Sequence, residues 1–307
     1  MSNQYTHYAS TDASAPVLNF NSVGSLIGVL NACLVNGYGT QVAAGWTSPF
    51  TSTNIAVYRA PSGVQHYWQV NDNIGAIATM WGFETMSGFN TGTGQFPSGA
   101  TNNQTSKGSS ATNEWHVFAD SRTVIVILGK AFSVATGYGA FYFGEIFSFL
   151  GSDAYRTLLK CSNNGVNYDK FPALSNSIET ASANAYMPRG YTGVGTAINV
   201  ACTGDAAKSN SSALMNGVIP FPDPVNGGLY LSPIWISDPT TAPIYNIRGQ
   251  MRGIWHFLHP NTSLNNLQVY NGTGTLAGKT FMAFTPAADN TQIAALIIET
   301  SATLPTN

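Results

Sequence analysis

Near the C-terminal end the chain reads "NGTGTLAGKT", a glycine-rich run closing on Gly278, Lys279 and Thr280. A phosphate-cradling loop needs a glycine, four residues, then Gly-Lys-Thr, entered from a strand and left through a helix. The position that should carry the first glycine is Thr273, straddled by Gly272 and Gly274, and the segment that follows, "FMAFTP", is strand-like. The spacing therefore points to a glycine-rich turn between strands and not to a nucleotide site. In "HFLH", His256 and His259 are three apart. A strand sends them to opposite sides, and no cysteine or acid run completes a tetrahedral metal set. His7, His66 and His116 stand isolated in the sequence. Cys33, Cys161 and Cys202 are far apart and odd in number, which fits neither a disulfide framework nor a CxxC metal pattern. No G-x-S-x-G elbow for serine chemistry is present.

Carboxylate pairs are spatial, so fourteen acids leave glycosidase chemistry open on composition alone. Glu84, Glu114, Asp120 and Glu145 lie in or beside strand-like segments. Glu145, within apolar "FYFGEIFSF", reads as an internal partner for a lysine or arginine. Expected catalytic residues, metal ligands and cofactors are therefore none, and the chain is read as a non-enzyme.

Charge is the most unusual property of the composition. Charged residues make up 8% of the 307, while apolar residues reach 44%, against about 25% charged in an ordinary globular domain. From residue 1 to residue 58 the only charged side chain is Asp12. Disorder needs low hydrophobicity and high net charge, the opposite of this balance. Twelve Lys and Arg scattered singly make no patch for phosphate neutralisation, so direct nucleic-acid binding is not expected. A neutral surface suits a protein whose faces are covered by neighbours, or one living outside the cell. The opening "MSNQYTHYASTDASAP" has neither the basic region nor the apolar stretch of a signal peptide.

The elements follow from periodicity. In "SVGSLIGVLNACLVNGYG" at residues 22–39, Val23, Leu26, Ile27, Leu30 and Leu34 form one helical stripe. Ser22 is placed to cap it and Gly37 to end it, giving a helix over about 22–36. That is shorter than a bilayer core requires, so no membrane span is expected. Gly24, Gly28 and Ala32 make a small-residue face suited to packing against the home sheet or a neighbouring subunit. Two strands flank Pro61-Ser62-Gly63, a third is "AIATMWGFETM", two more flank Asp120-Ser121-Arg122, and "GAFYFGEIFSF" is their partner. Residues 87–113 read as a long loop. The expected fold is mainly β, with meander or sandwich-like antiparallel sheets and one N-terminal amphipathic helix. Residues 1–160 form a helix-plus-meander domain, 161–228 an irregular connection rich in Pro, Gly, Asn and Ser, and 229–307 a C-terminal antiparallel region, either separate or packed with the first as one unit, that includes "LYLSPIWIS", "GIWHFLH", "KTFMAFTP" and "IAALIIET". The last two flank the turn-rich "AADNT".

Tyr5, Tyr8 and Trp46 fall outside these elements in nearly uncharged chain, where aromatics mark protein interfaces or stack on sugars. With Gly24, Gly28 and Ala32 they are the candidate interface residues, and residues 1–21 are read as an interaction arm.

Several quoted stretches together carry a resemblance. "YTHYASTDASAPVLN", "VGSLIGVLNACLVNGYG", "AAGWTSPF", "NIAVYRAPSGVQHYWQVND", "MSGFNTGTGQFP" and "GEIFSFLGSDAYRTLL" resemble a family of tailed-bacteriophage virion proteins, over about the first 160 residues, with a shorter likeness at "RGYTG". The resemblance implies a structural, often tail-associated protein, made in the host cytoplasm and residing in the virion. Its expected partners are other copies of itself and other virion proteins, and it brings no catalytic residues with it. The alternative reading is a receptor- or glycan-binding tail-tip or fibre protein, and a third is a glycan-degrading virion enzyme.

Overall fold

The computed structural model of the chain describes residues 4–99, 103–108, 112–129, 139–161, 185–203, 220–241, 244–260, 263–285 and 295–301. In chain order the first strands are β1 (Thr6–Ala9), β2 (Thr47–Thr51), β3 (Ile55–Arg59), β4 (Tyr67–Asn71), β5 (Ile77–Phe83), β6 (Thr85–Gly88), β7 (Thr91–Thr93) and β8 (Gln104–Ser106). Then come β9 (Trp115–Ala119), β10 (Thr123–Leu128), β11 (Gly139–Glu145), β12 (Phe147–Ser148), β13 (Thr157–Cys161), β14 (Ala185–Met187), β15 (Ile198–Asn199) and β16 (Ala201–Thr203). The last are β17 (Leu231–Thr241), β18 (Ile244–Phe257), β19 (Val269–Asn271), β20 (Thr280–Phe284) and β21 (Leu296–Glu299). The protein is mainly β, its described sheets are antiparallel, and one short helix, α1 (Ser25–Asn31), lies near the N-terminus.

Three sheets stack. The central one runs β1-β9-β10-β11-β13-β14-β15. On one side lies β2-β3-β4-β5-β8, and on the other β16-β17-β18-β21-β20-β19 with β12 paired to β18. The central position explains the continuous apolar runs in β10 and β11, because a sheet covered on both faces has no solvent side to make polar. Val124, Val126 and Leu128 of β10 join the core shared with Tyr58, Trp68, Met80 and the helix. Ile125 and Ile127, pointing the other way by the two-residue period, join the core shared with Ile234, Ile236, Ile254 and Ile298. The described parts of 4–160 and 229–301 therefore share a core. The boundary expected at residue 160 falls inside β13, and part of the expected irregular stretch 161–228 is strand, β14 to β16. The "AADNT" turn lies outside the described residues.

Both hairpins stand where Pro61-Ser62-Gly63 and Asp120-Ser121-Arg122 placed them, the first through a longer loop over 60–66 and the second through a tight turn over 120–122, with Tyr58 opposite Trp68 and Ile125 opposite Phe118. The expected loop at 87–113 is in part strand: β7 pairs with β6, and β8 pairs with β5, Ala78 opposite Thr105. The helix begins later than expected. Gly24, not Ser22, is its N-cap, in a left-handed conformation with φ 76°. The Leu26 N–H is satisfied instead by the Asp72 carboxylate at 2.8 Å. Lys107, ion-paired to Asp72 at 2.7 Å, donates to the Ser22 carbonyl, also at 2.7 Å. A π-helical turn, Ala32–Asn36, extends the helix to Gly37. Leu26, Ile27, Leu30 and Leu34 are buried as the stripe requires, but Val23 is exposed.

The described residues of the expected arm, 4–21, are not free of the fold. β1 forms the edge of the central sheet, Tyr8 opposite Val117, and Tyr8 and Leu18 are fully buried.

Candidate functional site

Three of the six candidate interface residues are inside the protein. Tyr5 packs in the core between the central and C-terminal sheets and donates its hydroxyl to the Arg252 carbonyl at 2.9 Å. Tyr8 donates to the Val42 carbonyl at 2.8 Å, and Trp46 donates its indole N–H to the Asp120 carbonyl at 2.7 Å. These aromatics lie outside regular helix-forming or hairpin patterns because they plug the core from an edge strand and a connection. Local pattern is silent about such positions. Of the small-residue face, Gly24 is the helix cap, Ala32 is half-buried, and Gly28 is exposed with nothing near the position a side chain would take. The small residues therefore do not mediate close packing on the home sheet at Gly28.

The charged residues are distributed against expectation for a soluble surface. The chain has 12 basic and 14 acidic residues; among the described ones, six acids (Asp72, Asp120, Glu145, Asp153, Asp238 and Glu299) and four bases (Lys107, Lys160, Arg248 and Arg252) are buried. Arg248 grips Asp153 through two nitrogens at 2.7 and 2.8 Å and meets Asp238 at 3.3 Å. Glu145 accepts the Val64 N–H and pairs with Arg156 at 3.0 Å and Arg122 at 3.5 Å, the internal-partner role its apolar surroundings suggested. A carboxylate held this way is neutralised in place. Among the described residues no charged side chain is fully exposed. An aromatic ladder lies at the surface, in which half-exposed Phe149 lies 5.9 Å from both Phe147 and Trp235.

The histidines expected to stand alone do not all do so. His7 on β1 and His116 on β9 are joined ring to ring at 3.1 Å, and His116 reaches Glu114 at 3.1 Å. Burial pushes the His7 imidazole down to about 4, with His116 adding to the effect. The pairing joins residues more than a hundred positions apart, so no sequence spacing could announce it. His259 accepts the Tyr230 N–H at 2.8 Å and faces the Pro220 carbonyl at 3.1 Å, whereas His256 sits within β18. Among the described residues no group of three or more His, Cys, Asp or Glu is arranged to hold a metal ion. No described helix is long and apolar enough to cross a membrane. Cys33, Cys161 and Cys202 are buried and form no disulfide.

The glycine-rich run joins β19 to β20, antiparallel neighbours, through a short 3-10 turn, Gly274–Leu276. Lys279, the residue a phosphate loop would aim at a ligand, pairs with Glu299 at 2.7 Å. The run nevertheless lines a cleft. A hollow of about 640 Å³ lies between this turn, the segment from Asn226 to Leu231, and Trp255 of β18. Its walls are tied together. Thr273 accepts the Leu229 N–H at 2.8 Å, and the Tyr230 hydroxyl donates to Asp223 at 2.8 Å while accepting from Asn226 at 2.7 Å. The Val225 N–H, and next the Tyr230 hydroxyl, hold the Asp223 carboxyl below the usual carboxylate range. Trp255 donates its indole N–H to Glu299 at 3.2 Å. Such a site can bind by stacking and neutral hydrogen bonds. The sequence hint was present in the glycine run, but only the fold brings it against Tyr230 and Trp255.

Compared with known proteins, the chain matches no protein-family model and no curated protein.

Proposed function

We propose that this chain is a structural component of a tailed-phage virion, in the tail rather than the head, acting through contacts with its own copies and with other virion proteins in a symmetric assembly. The observation that carries the reading is the inward placement of charge. A chain already poor in charged residues buries ten of those described, mostly in ion pairs, which supports an exterior suited to coverage by neighbours. Keeping charge outside favours solubility as a free monomer; keeping it inside favours a surface that associates without costly desolvation of charged groups. The resemblance of the first 160 residues to tail-associated virion proteins supports the same reading. Symmetric assemblies repeat one such contact many times, so modest affinity per contact suffices.

The test is quantitative mass spectrometry and immunogold labelling of purified particles of a phage encoding the chain. The expected result is a fixed ratio to the other virion proteins, with label on the tail. Abundance in the infected cell with absence from purified particles would overturn the proposal. Label confined to the head would overturn the tail assignment.

A further inference from the structure

We propose that the cleft between the glycine-rich turn and β18 binds a neutral saccharide. Its volume, about 640 Å³, is in the range of small-molecule sites and suits a ligand of one or two sugar rings. Two aromatic residues, Trp255 and Tyr230, contribute to the wall, and leucines complete its apolar part. Pyranose rings present C–H faces that pack on such surfaces while their hydroxyls seek hydrogen bonds at the edge. The polar side chains available are the Asn226 amide and the Thr273 and Thr275 hydroxyls, and no charged side chain is among the described residues that line the cleft. That chemistry selects a neutral sugar: a sialylated or sulfated one would bring a charge with no cation in the lining to receive it.

The site is also built in advance. The Leu229 N–H to Thr273 bond fixes one wall to the other, and Asp223 and Asn226 fix the Tyr230 hydroxyl. The Tyr230 ring stacks on His259 with centroids 5.5 Å apart, and Phe281 meets the Trp255 ring edge-on at 6.2 Å. A ligand meeting walls already ordered does not have to order them, which favours binding. The cleft belongs to the C-terminal sheet and its ligand chemistry does not depend on where the protein resides, so this inference can fail while the virion assignment stands.

The purified full chain is screened on an array of neutral and acidic oligosaccharides, and each bound glycan is then titrated calorimetrically. The expected result is binding of at least one neutral glycan with Kd below about 10 mM, and a loss of about tenfold or more in Thr275→Trp. Thr275 is exposed on the turn, so the indole fills the cleft from its rim. Should that variant not fold, Thr275→Val, which removes one hydroxyl at nearly constant volume, is expected to weaken binding about fivefold. Failure to retain any neutral glycan, preference for acidic glycans, or full affinity in the substituted chain would overturn the proposal.

Discussion

Arg252 on β18 and Asp120 at the β9–β10 turn meet at 2.9 Å with both side chains buried, bolting the C-terminal sheet to the central one. Arg252 also donates to the Thr123 hydroxyl at 3.0 Å, and Asp120 accepts the Arg122 and Thr123 N–H groups with its other oxygen. Removing one partner strands the other charge in the interior, a loss of about 3–5 kcal/mol. Arg252→Met is therefore expected to lower unfolding stability by that amount in urea titration. Arg252→Met with Asp120→Asn, which keeps the turn acceptor without the charge, should recover part of it. Additive losses in the double variant would show that the two residues do not act as a pair.

Deleting residues 1–21 should abolish cooperative folding. The deletion removes the β1 edge strand together with buried Tyr5, Tyr8 and Leu18. Burial of each such side chain contributes about 1.5–3 kcal/mol, and the sum approaches the whole stability of an ordinary domain, about 5–15 kcal/mol. Thermal denaturation followed by near-ultraviolet circular dichroism checks this; a truncated chain with a sharp native-like transition contradicts it.

Gly82 on β5 faces the Phe96 ring so closely that an added Cβ would lie 2.1 Å from it. Reciprocal backbone bonds at 2.7 and 2.8 Å hold Gly82 and Phe96 together. Gly82→Ala should destabilise by about 1–3 kcal/mol through overpacking. Adding Phe96→Leu should relieve part of that cost by freeing ring volume. If the single substitution leaves the denaturation midpoint unchanged, the close approach is not as described.

Stability should fall as the pH is lowered from about 6.5 to about 4. Burial pushes the His66 imidazole from 6.5 down to about 4, against the pull of Glu84 and Glu145, with Arg156 and Arg189 assisting. In that window the unfolded chain binds the proton and the folded chain does not, so stability rises with pH across it and is fully present above 6.5. The full effect at His66 is on the order of 3 kcal/mol. His66→Gln should flatten the slope in urea titrations at stepped pH, His7 supplying a share of what is left. An unaltered slope in the variant would assign the pH response elsewhere.

Incorporation of the chain into particles should survive high salt. The buried pairs Lys107–Asp72 and Arg248–Asp153 are shielded from solvent, and with no fully exposed charged side chain among the described residues there is little for ions to screen even where the Debye length is about 3 Å, at 1 M. Particles washed at low and at high salt are compared by quantitative mass spectrometry. Selective loss at high salt would mean that charge, not apolar burial, holds the chain in place.

What the sequence determined by itself is what depends on near neighbours. The two-residue alternation and the turn residues at 61–63 and 120–122 set the strands and their hairpins. The helical stripe from Leu26 to Leu34 set a helix, and Thr273 in place of glycine set a turn in place of a phosphate loop. Tertiary structure alone decided what joins distant parts. Tyr5 and Tyr8 looked available because nothing adjacent in sequence covers them; β1 pairs with β9, more than a hundred residues on, and the cores on either side of the central sheet bury Tyr8 and Tyr5. Ser22 looked like the helix cap because only local oxygens can be weighed from sequence, yet the oxygen that serves Leu26 comes from Asp72, fixed in turn by Lys107. β8 lay unseen in polar chain, since an edge strand needs backbone pairing with β5 more than an apolar pattern of its own. The cleft has the same origin: its glycine turn, Tyr230 and Trp255 become one surface only when β17, β18, β20 and β21 pair. Periodicity encodes which way a side chain points within its own segment, whereas the partner across a sheet is chosen by the packing of the whole chain.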